Sequence, residues 1–304
     1  MQTPPVTVVV PTHNRPELMQ KAVQSVLSQD YAGDIEVIVV FDACDVALPD
    51  IPVTDRRSLR GIPNERTRGL AGGRNTGIMN ASSEFIASLD DDDYWFADKL
   101  TEQMRLMQQN PQTYLVGSAM LVERGEATHE RLVPVDVVHH DQLLHDRMAG
   151  LHSSSFLFRR SALVDKIGLI DEELPASYGE DYDVLLRTAK LSPILVVNKP
   201  LLTVRWSGQS YFFGKWLTYA DGLSYLLDKH PEFAKHKKSH SRINSQIAFA
   251  LAAGKEHARA RRMALKALKD NPLNIKAALA LAIGCHLLSA AWVIKTVQRM
   301  GKGI

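Results

Sequence analysis

Apolar and polar positions alternate in two rhythms along the first 100 residues. Val6–Val10 is a continuous β-branched run that stops at Pro11, which reads as a buried strand. Asn14-Arg15-Pro16 then reads as a helix start, with a cap-competent Asn and a Pro close to the first turn. Leu18, Ala22, Val26 and Leu27 follow at helical spacing until the stretch ends near Asp30. Glu36–Val40 and Phe85–Leu89 are further apolar strands, and Ala71–Ala81 between them reads as a helix leaving a Gly-rich turn. Buried strands separated by helices imply βαβ units and a mostly parallel sheet. The middle is less periodic. Leu115–Val122 and Ser153–Phe158 read as strands around a polar, His-bearing loop (residues 123–150). Leu163–Ile167 and Tyr182–Ala189 read as helices, and Ile194–Val197 and Leu201–Trp206 as strands. Beyond about residue 210 the strand signals stop. Residues 214–230, 242–253, 256–269 and 273–297 read as helices, broken by His230-Pro231, Gly254 and Asn271-Pro272. The pattern predicts an α/β domain over 1–212 and a helical extension over 213–304, without repeats.

Composition adds little until it is split along the chain. With 45% hydrophobic and 23% charged residues among 304, the protein is ordinary for a globular one and too apolar to be disordered. The net charge of +2 by itself points to no nucleic-acid partner. From Arg205 onward, however, 17 Lys and Arg face 5 acids, whereas residues 1–204 hold 19 against 29. An acidic domain is thus joined to a basic extension, and such asymmetry can mark a surface-binding tail. Cys44 and Cys285 are too few for a disulfide scaffold or a Cys-rich zinc site. The amino terminus lacks the pattern of a secretory signal, so a cytoplasmic protein is expected.

Three segments carry chemistry. Directly after the strand Phe85–Leu89 stand four adjacent carboxylates, Asp90, Asp91, Asp92 and Asp93, before Tyr94-Trp95. They repel one another, and a divalent cation such as Mg²⁺ or Mn²⁺ is one compensation, since these ions prefer oxygen ligands. An acidic helix start fits equally, with Asp93 capping a helix Trp95–Met107. Glu180-Asp181-Tyr182-Asp183 opens the apolar stretch Val184–Ala189 and offers either a general base or ordinary helix N-terminal charge. Arg68-Gly69-Leu70-Ala71-Gly72-Gly73-Arg74-Asn75 joins permissive glycines to two arginines before a helix, which suits a diphosphate or a tight turn. Neither GxGxxG nor Walker A is present. His139, His140, His145 and His152 show no zinc spacing.

In combination and in order, these segments resemble the family 2 glycosyltransferases, nucleotide-sugar enzymes of GT-A fold. Val8-Val9-Val10-Pro11-Thr12-His13-Asn14-Arg15 is similar to the family's opening strand and donor loop, and Val37–Asp42 to its second strand. Gly73–Gly77 is similar to its "ArNxG" turn and Leu89–Trp95 to its "LDaDDxW" metal motif. Leu157–Asp171 and Glu180–Asp183 match the approach to its base motif, so the likeness covers residues 5–210. The resemblance implies a metal-assisted, inverting transfer from a nucleotide-diphospho-sugar to an acceptor hydroxyl of a glycan, lipid-linked molecule or protein. Residues 1–100 would form the donor half and 101–212 the acceptor half. Pro11, Thr12, His13, Arg15 and Asp42 would line the donor site, with Arg74 and Arg68 near the diphosphate. Asp91 would meet the ribose, Asp92 the metal with Asp90 beside it, and Asp181, next to Glu180, would be the base. Trp206 stands where relatives carry a His after the strand, and His152 and Trp206 are expected on the acceptor side, with residues 123–152 and 207–215. A catalytically silent scaffold at a membrane and a sugar nucleotidyltransferase are the alternatives. Asp91-Asp92 and Glu180-Asp181 argue against the first, and Pro11-Thr12-His13-Asn14 is not the loop the second needs.

The extension poses its own question. From Ala277 to Ile294 only His286 is strongly polar, a length that reaches the window for a spanning helix, but the stretch is Ala-rich with Gly284 and His286 in its middle. The preceding segment mixes Arg259, Arg261, Arg262, Lys266 and Lys269 with Met263, Leu265 and Leu268. Peripheral contact with the inner face of a membrane, or subunit packing through residues 255–304, is expected ahead of spanning.

Overall fold

The computed structural model describes residues 3–206 and 214–299. The chain forms two compact units. The first comprises Met1–Leu143, Arg147–Glu172 and Glu180–Gly208; the second Leu144–Asp146, Glu173–Gly179 and Gln209–Ile304.

The first unit is built on β1 (Val6–Thr12), α1 (Pro16–Leu27), β2 (Ile35–Phe41), β3 (Arg57–Pro63), α2 (Leu70–Asn80) and β4 (Phe85–Ser88). It continues with β5 (Tyr94–Trp95), α3 (Lys99–Gln109), β6 (Leu115–Arg124), β7 (Ala127–Arg131), β8 (Val137–Val138) and the start of α4 (His140–His145), whose Leu144 and His145 belong to the second unit. Then follow β9 (Leu157–Arg159), α5 (Arg160–Ala162, prolonged by a π turn over Leu163–Ile167), α6 (Glu180–Leu191) and β10 (Ile194–Arg205). The sheet runs β3-β2-β1-β4-β9-β6-β10-β5, with β7 on β6 and β8 on β10. Its first four strands are mutually parallel, while β9 runs antiparallel to both β4 and β6. The sheet is therefore mixed and mostly parallel in its donor half, with helices against it.

Every residue of β1 is buried, and all but Glu36 of β2, because helices cover both faces of these strands. Helix α2 lies unusually near β1: a Cβ on Gly77 would sit 2.2 Å from Val9 Cγ1, so only glycine allows the approach. Register sets the site. Thr12 pairs with Phe41 and Val9 with Ser88, so the loops after β1, β2 and β4 leave the same edge. Ligands of open α/β sheets bind beyond such carboxyl ends.

Several elements depart from expectation. Strand β3 is polar, carrying Arg57 and Arg60 at the sheet edge, and has no apolar alternation to reveal it. Asn14 does not cap α1. It takes φ 53, and Arg15 occupies the cap position without a side-chain bond. The stretch 123–150 contains β7, β8 and α4 rather than a loop. Ser153–Ser155 is a 3-10 turn, leaving only Leu157–Arg159 as strand. The two strands expected over 194–206 are one, β10, with register shifts flanking Pro200, which cannot donate to a ladder. Asp93 caps nothing: Tyr94–Trp95 is a short strand, and the helix begins at Lys99.

The second unit holds α7 (Trp216–Lys229), α8 (Lys237–Ala253), α9 (His257–Asp270), α10 (Ile275–Gly284) and α11 (Ala290–Arg299). Small buried residues, among them Ala248, Ala260, Ala264, Ala267, Ala277 and Ala280, let α8, α9 and α10 pack tightly. Asn274 caps α10 through the Ala277 N–H at 3.1 Å and donates to Ser241 Oγ at 2.9 Å, tying the turn to α8. The apolar stretch 273–297 is not one helix. It breaks between α10 and α11, where His286 takes φ 60, and no helix among the described residues is long and apolar enough to cross a membrane.

Candidate active site

At the carboxyl edge of β1, β2 and β4 three loops converge. After β2, Asp42 fixes the turn before α2: its Oδ1 accepts from Asn64 Nδ2 at 2.7 Å and its Oδ2 from the Gly69 N–H at 2.9 Å. Gly69 stands at φ 118, a conformation that favours glycine. His13 Nδ1 lies 2.6 Å from the Asp42 carbonyl oxygen, so Nδ1 carries the proton and donates. Pro11 is buried at the end of β1, and Arg68 is exposed on the loop into α2.

Each of the four aspartates has its own partners. Asp90 accepts from Arg74 Nη2 at 2.5 Å and from Ser153 Oγ at 3.1 Å. Asp91, buried, accepts from Thr12 Oγ1 at 2.7 Å and from Arg15 Nη1 at 3.1 Å. Asp92, more exposed, accepts from the same Arg15 nitrogen at 3.0 Å. Asp93, buried, accepts from Ser154 Oγ at 2.6 Å and the Arg205 N–H at 3.2 Å, and lies 3.5 Å from His152 Nδ1. Burial works against the charge of Asp90, but Arg74, helped by the Ser153 hydroxyl, outweighs it and holds the carboxyl below its usual range. Asp91 is pushed up by burial despite Thr12 and Arg15. Asp92 is raised by partial burial and by Asp90 and Asp91, and Asp93 is raised well above by burial and Asp90.

This set fits a divalent cation. One ligating atom each from Asp90, Asp93 and His152 lies within 4.8 Å of the others. Burial pushes the His152 imidazole toward its neutral form, the form that ligates, and its Nδ1 accepts from the Ser154 N–H at 3.3 Å. The like charges that raise Asp92 and Asp93 are what a cation relieves. Asp92 itself lies outside that trio and faces Arg15.

Behind the aspartates lies a buried charge network. Arg74, with a side chain 4% exposed, donates to Asp90, to Glu180 Oε1 at 2.5 Å and to Ser153 Oγ at 3.0 Å. It therefore links the metal-motif loop to the start of α6 instead of standing open at the mouth. Burial raises Glu180 to about 7 even against Arg74. The neighbouring Asp181 is held below its usual range, because Arg147 outweighs its burial. Arg147 Nη2 donates to Asp181 Oδ1 at 2.9 Å and Oδ2 at 2.6 Å.

Some of this network carries no sequence signal. Ser153 and Ser154 are buried polar residues whose hydroxyls bind Asp90 and Asp93, and a serine run gives no hint of that role. Arg147 is a single arginine in a loop. Glu172 accepts from Asn75 Nδ2 at 2.6 Å, Arg66 Nε at 2.5 Å and Thr67 Oγ1, which fastens the loop before α2 and depresses its own carboxyl to about 2 despite some burial. Trp206 is 42% exposed, its N–H donating to the Glu123 carbonyl at 2.7 Å, with Arg131 5.9 Å from its ring. His145 belongs elsewhere, against His236 and Ser239. Of the expected acceptor segments, residues 207–213 lie outside the described residues.

Comparison with known proteins agrees with the geometry. The model of Glycosyl transferase family 2 matches residues 7–165. Among curated relatives, Escherichia coli UDP-Glc:alpha-D-GlcNAc-diphosphoundecaprenol beta-1,3-glucosyltransferase WfgD is 26% identical over 194 residues, 64% of this chain and 73% of the relative. A Campylobacter jejuni GalNAc(5)-diNAcBac-PP-undecaprenol beta-1,3-glucosyltransferase is 29% identical over 131 residues, and the match spans less than half of each chain, 42%. Among solved structures, S. aureus TarS in complex with UDP-GlcNAc superposes with a TM-score of 0.61 at 16% identity, covering 98% of this chain and 92% of that one. A mannosyltransferase from Pyrobaculum calidifontis in complex with GDP-Man and Mn²⁺ gives 0.55 at 17% identity, covering 97% and 88%. With the family model spanning more than half of the chain and the fold shared with these transferases, the protein belongs to glycosyl transferase family 2 and is a glycosyltransferase of GT-A fold.

Proposed function

We propose that the protein transfers a hexosyl group, with inversion, from a nucleotide-diphospho-sugar to a hydroxyl of a diphospho-lipid-linked sugar. The observation that carries this reading is the single buried network in which Arg74 joins Asp90 of the metal motif to Glu180, the neighbour of Asp181. Donor-side and base-side carboxylates are thereby held in one rigid arrangement, as a single displacement requires. The curated relatives that act on diphosphoundecaprenol-linked sugars support the acceptor class.

In this reading Pro11, Thr12, His13 and Asp42 receive the nucleoside and Asp91 the ribose. Arg15 and Arg68, the exposed arginines of the donor loops, meet the diphosphate. Asp181 takes the proton of the acceptor hydroxyl. The freed oxygen bonds to the anomeric carbon while the bond from that carbon to the diphosphate oxygen breaks, and the nucleoside diphosphate leaves with the electron pair. A Mn²⁺ or Mg²⁺ ion held by Asp90 with Asp93 and His152, and by Asp92 once Arg15 turns from it to the diphosphate, would supply charge neutralisation for the departing diphosphate. His152 and Trp206 border the acceptor. Calorimetric titration with Mn²⁺ and a panel of UDP-, GDP- and TDP-sugars is expected to show binding of one donor, lost in Asp92→Ala. Failure of every donor to bind would overturn the reading.

The basic extension supports attachment to an anionic lipid surface on the cytoplasmic side. The exposed residues of α9 include Arg259, Arg262, Lys266 and Lys269 beside Leu265. On α10 and its flanks, Leu273 is 88% exposed, Ile275 75% and Leu287 76%. Basic and apolar residues side by side suit an interfacial helix. Flotation on vesicles containing anionic lipid should retain the intact chain and lose the variant Arg262→Glu/Lys266→Glu/Ile275→Asp. Equal flotation of both rejects the surface, and self-association in sedimentation without flotation assigns it to a second copy instead.

A further inference from the structure

Asp181 is already occupied. Arg147 Nη2 reaches both of its carboxylate oxygens, at 2.9 and 2.6 Å, and the Tyr182 N–H takes a further place on Oδ1 at 2.7 Å. The Arg147 side chain is 44% exposed and that of Asp181 only 12%, so the guanidinium is the outer partner of the pair and covers part of the carboxylate. The backbone around it is held in place. Met148 takes φ 51, the Leu151 N–H donates to the Met148 carbonyl at 2.8 Å, and a Cβ on Gly150 would meet the Leu132 carbonyl at 2.7 Å.

The charges say what would move Arg147. The three carboxylates of Asp90, Glu180 and Asp181 are faced by two guanidinium groups, those of Arg74 and Arg147. Arg74 is enclosed and shared between two of them, whereas Arg147 is partly open to solvent. An uncharged acceptor that displaces it breaks a charge-assisted hydrogen bond and offers no charge in return. An acceptor with a phosphate one sugar ring from its reacting hydroxyl offers a better partner, since guanidinium and phosphate match in a planar, two-point fashion.

We propose that Arg147 is the specificity residue for the acceptor's anionic linkage: it rests on Asp181 in the empty site and moves onto the acceptor phosphate, uncovering Asp181 as the hydroxyl arrives. This rests on the transfer reading above, with Asp181 as base. Once Asp181 has taken the proton it no longer attracts the guanidinium, so Arg147 stays with the phosphate until the product departs.

The test compares two acceptors in steady state with the full chain and saturating donor: a sugar-diphospho-lipid of short chain, and the same sugar as an uncharged alkyl glycoside. In Arg147→Met the ratio of KM for the charged over the uncharged acceptor is expected to rise about 10- to 100-fold, the size of a lost charge-assisted contact. Arg147→Lys should recover part of that ratio, which a merely structural role would not do. Circular dichroism verifies folding of each variant. An unchanged ratio, or an equal rise in both KM values, overturns the role of Arg147 while the transfer reading stands. A wild-type chain that uses neither acceptor removes the transfer reading itself, and this proposal with it.

Discussion

Replacing Arg74 by methionine tests the buried network that orders the site. The side chain is 4% exposed and meets Asp90 and Glu180 at 2.5 Å each, so methionine fills much of the space but leaves two buried carboxylates without their shared cation. At an effective dielectric constant near 20, opposite charges about 4 Å apart attract by about 4 kcal/mol per pair, and most of that offsets desolvation of the ions. Removing one partner of a buried pair costs about 3–5 kcal/mol, because the remaining charge stays unpaired. We expect that loss at pH 8 from urea unfolding followed by fluorescence. The pH dependence gives the mechanism. Burial raises Glu180 to about 7 in the wild type, above its unfolded value, so its protonation favours the folded state and that contribution fades as pH rises through 7. Without Arg74 the carboxyl binds its proton at a still higher pH. Between pH 8 and pH 6 the variant should regain about 1–2 kcal/mol on the wild type, at about 1.4 kcal/mol per unit of additional shift. Adding Glu180→Gln to the variant should remove most of this dependence. A loss below about 1 kcal/mol, or one that does not change with pH, would refute the reasoning.

Three further outcomes follow from the same contacts. Glu172→Gln should destabilise at pH 7. Wild-type Glu172 is depressed to about 2, below its unfolded value near 4.5, so its contribution is present above pH 4.5 and vanishes as pH falls toward 2. The full shift corresponds to about 3 kcal/mol, which screening at this half-open rim cuts to about 1–2 kcal/mol. Urea titrations at pH 7 and pH 3.5 should show the gap narrowing at the lower value, and a constant gap contradicts the assignment. Ser154→Ala removes the donor to Asp93 at 2.6 Å and the acceptor for the Asp90 N–H at 3.1 Å, with an expected cost of about 1–3 kcal/mol by thermal unfolding and weaker Mn²⁺-dependent donor binding. Gly77→Ala should cost about 1–3 kcal/mol, since its Cβ would press on Val9 Cγ1 at 2.2 Å, and a neutral result would mean that α2 shifts freely off β1.

How much of this was legible in the sequence depends on whether a residue's role is local. Strands β1, β2 and β4 are visible because continuous β-branched runs have few other uses, and their carboxyl ends carry the residues that the family resemblance names. Strand β3 is not, since its edge position tolerates Arg57 and Arg60 in place of an apolar pattern. The residues of β7 are nearly all exposed and read as loop. Ser153 and Ser154 look like surface serines, yet they are buried because Asp90 and Asp93 need donors, a demand set 63 and 61 residues away in the chain. Arg74 was readable as an arginine near charge, but not that both of its partners lie inside. The segment 273–297 is apolar enough to read as one helix, and only the backbone at His286 reveals the break.

The central claim, single-displacement transfer with Asp181 as base, is tested most directly by Asp181→Asn. Transfer from the donor that binds to a sugar-diphospho-lipid, followed by product formation alongside calorimetric donor affinity, gives both numbers on one preparation. Donor affinity is expected within about threefold of wild type and transfer reduced about 10²- to 10⁴-fold, the range for loss of a general base. Transfer by Asp181→Asn at the wild-type rate would contradict the claim.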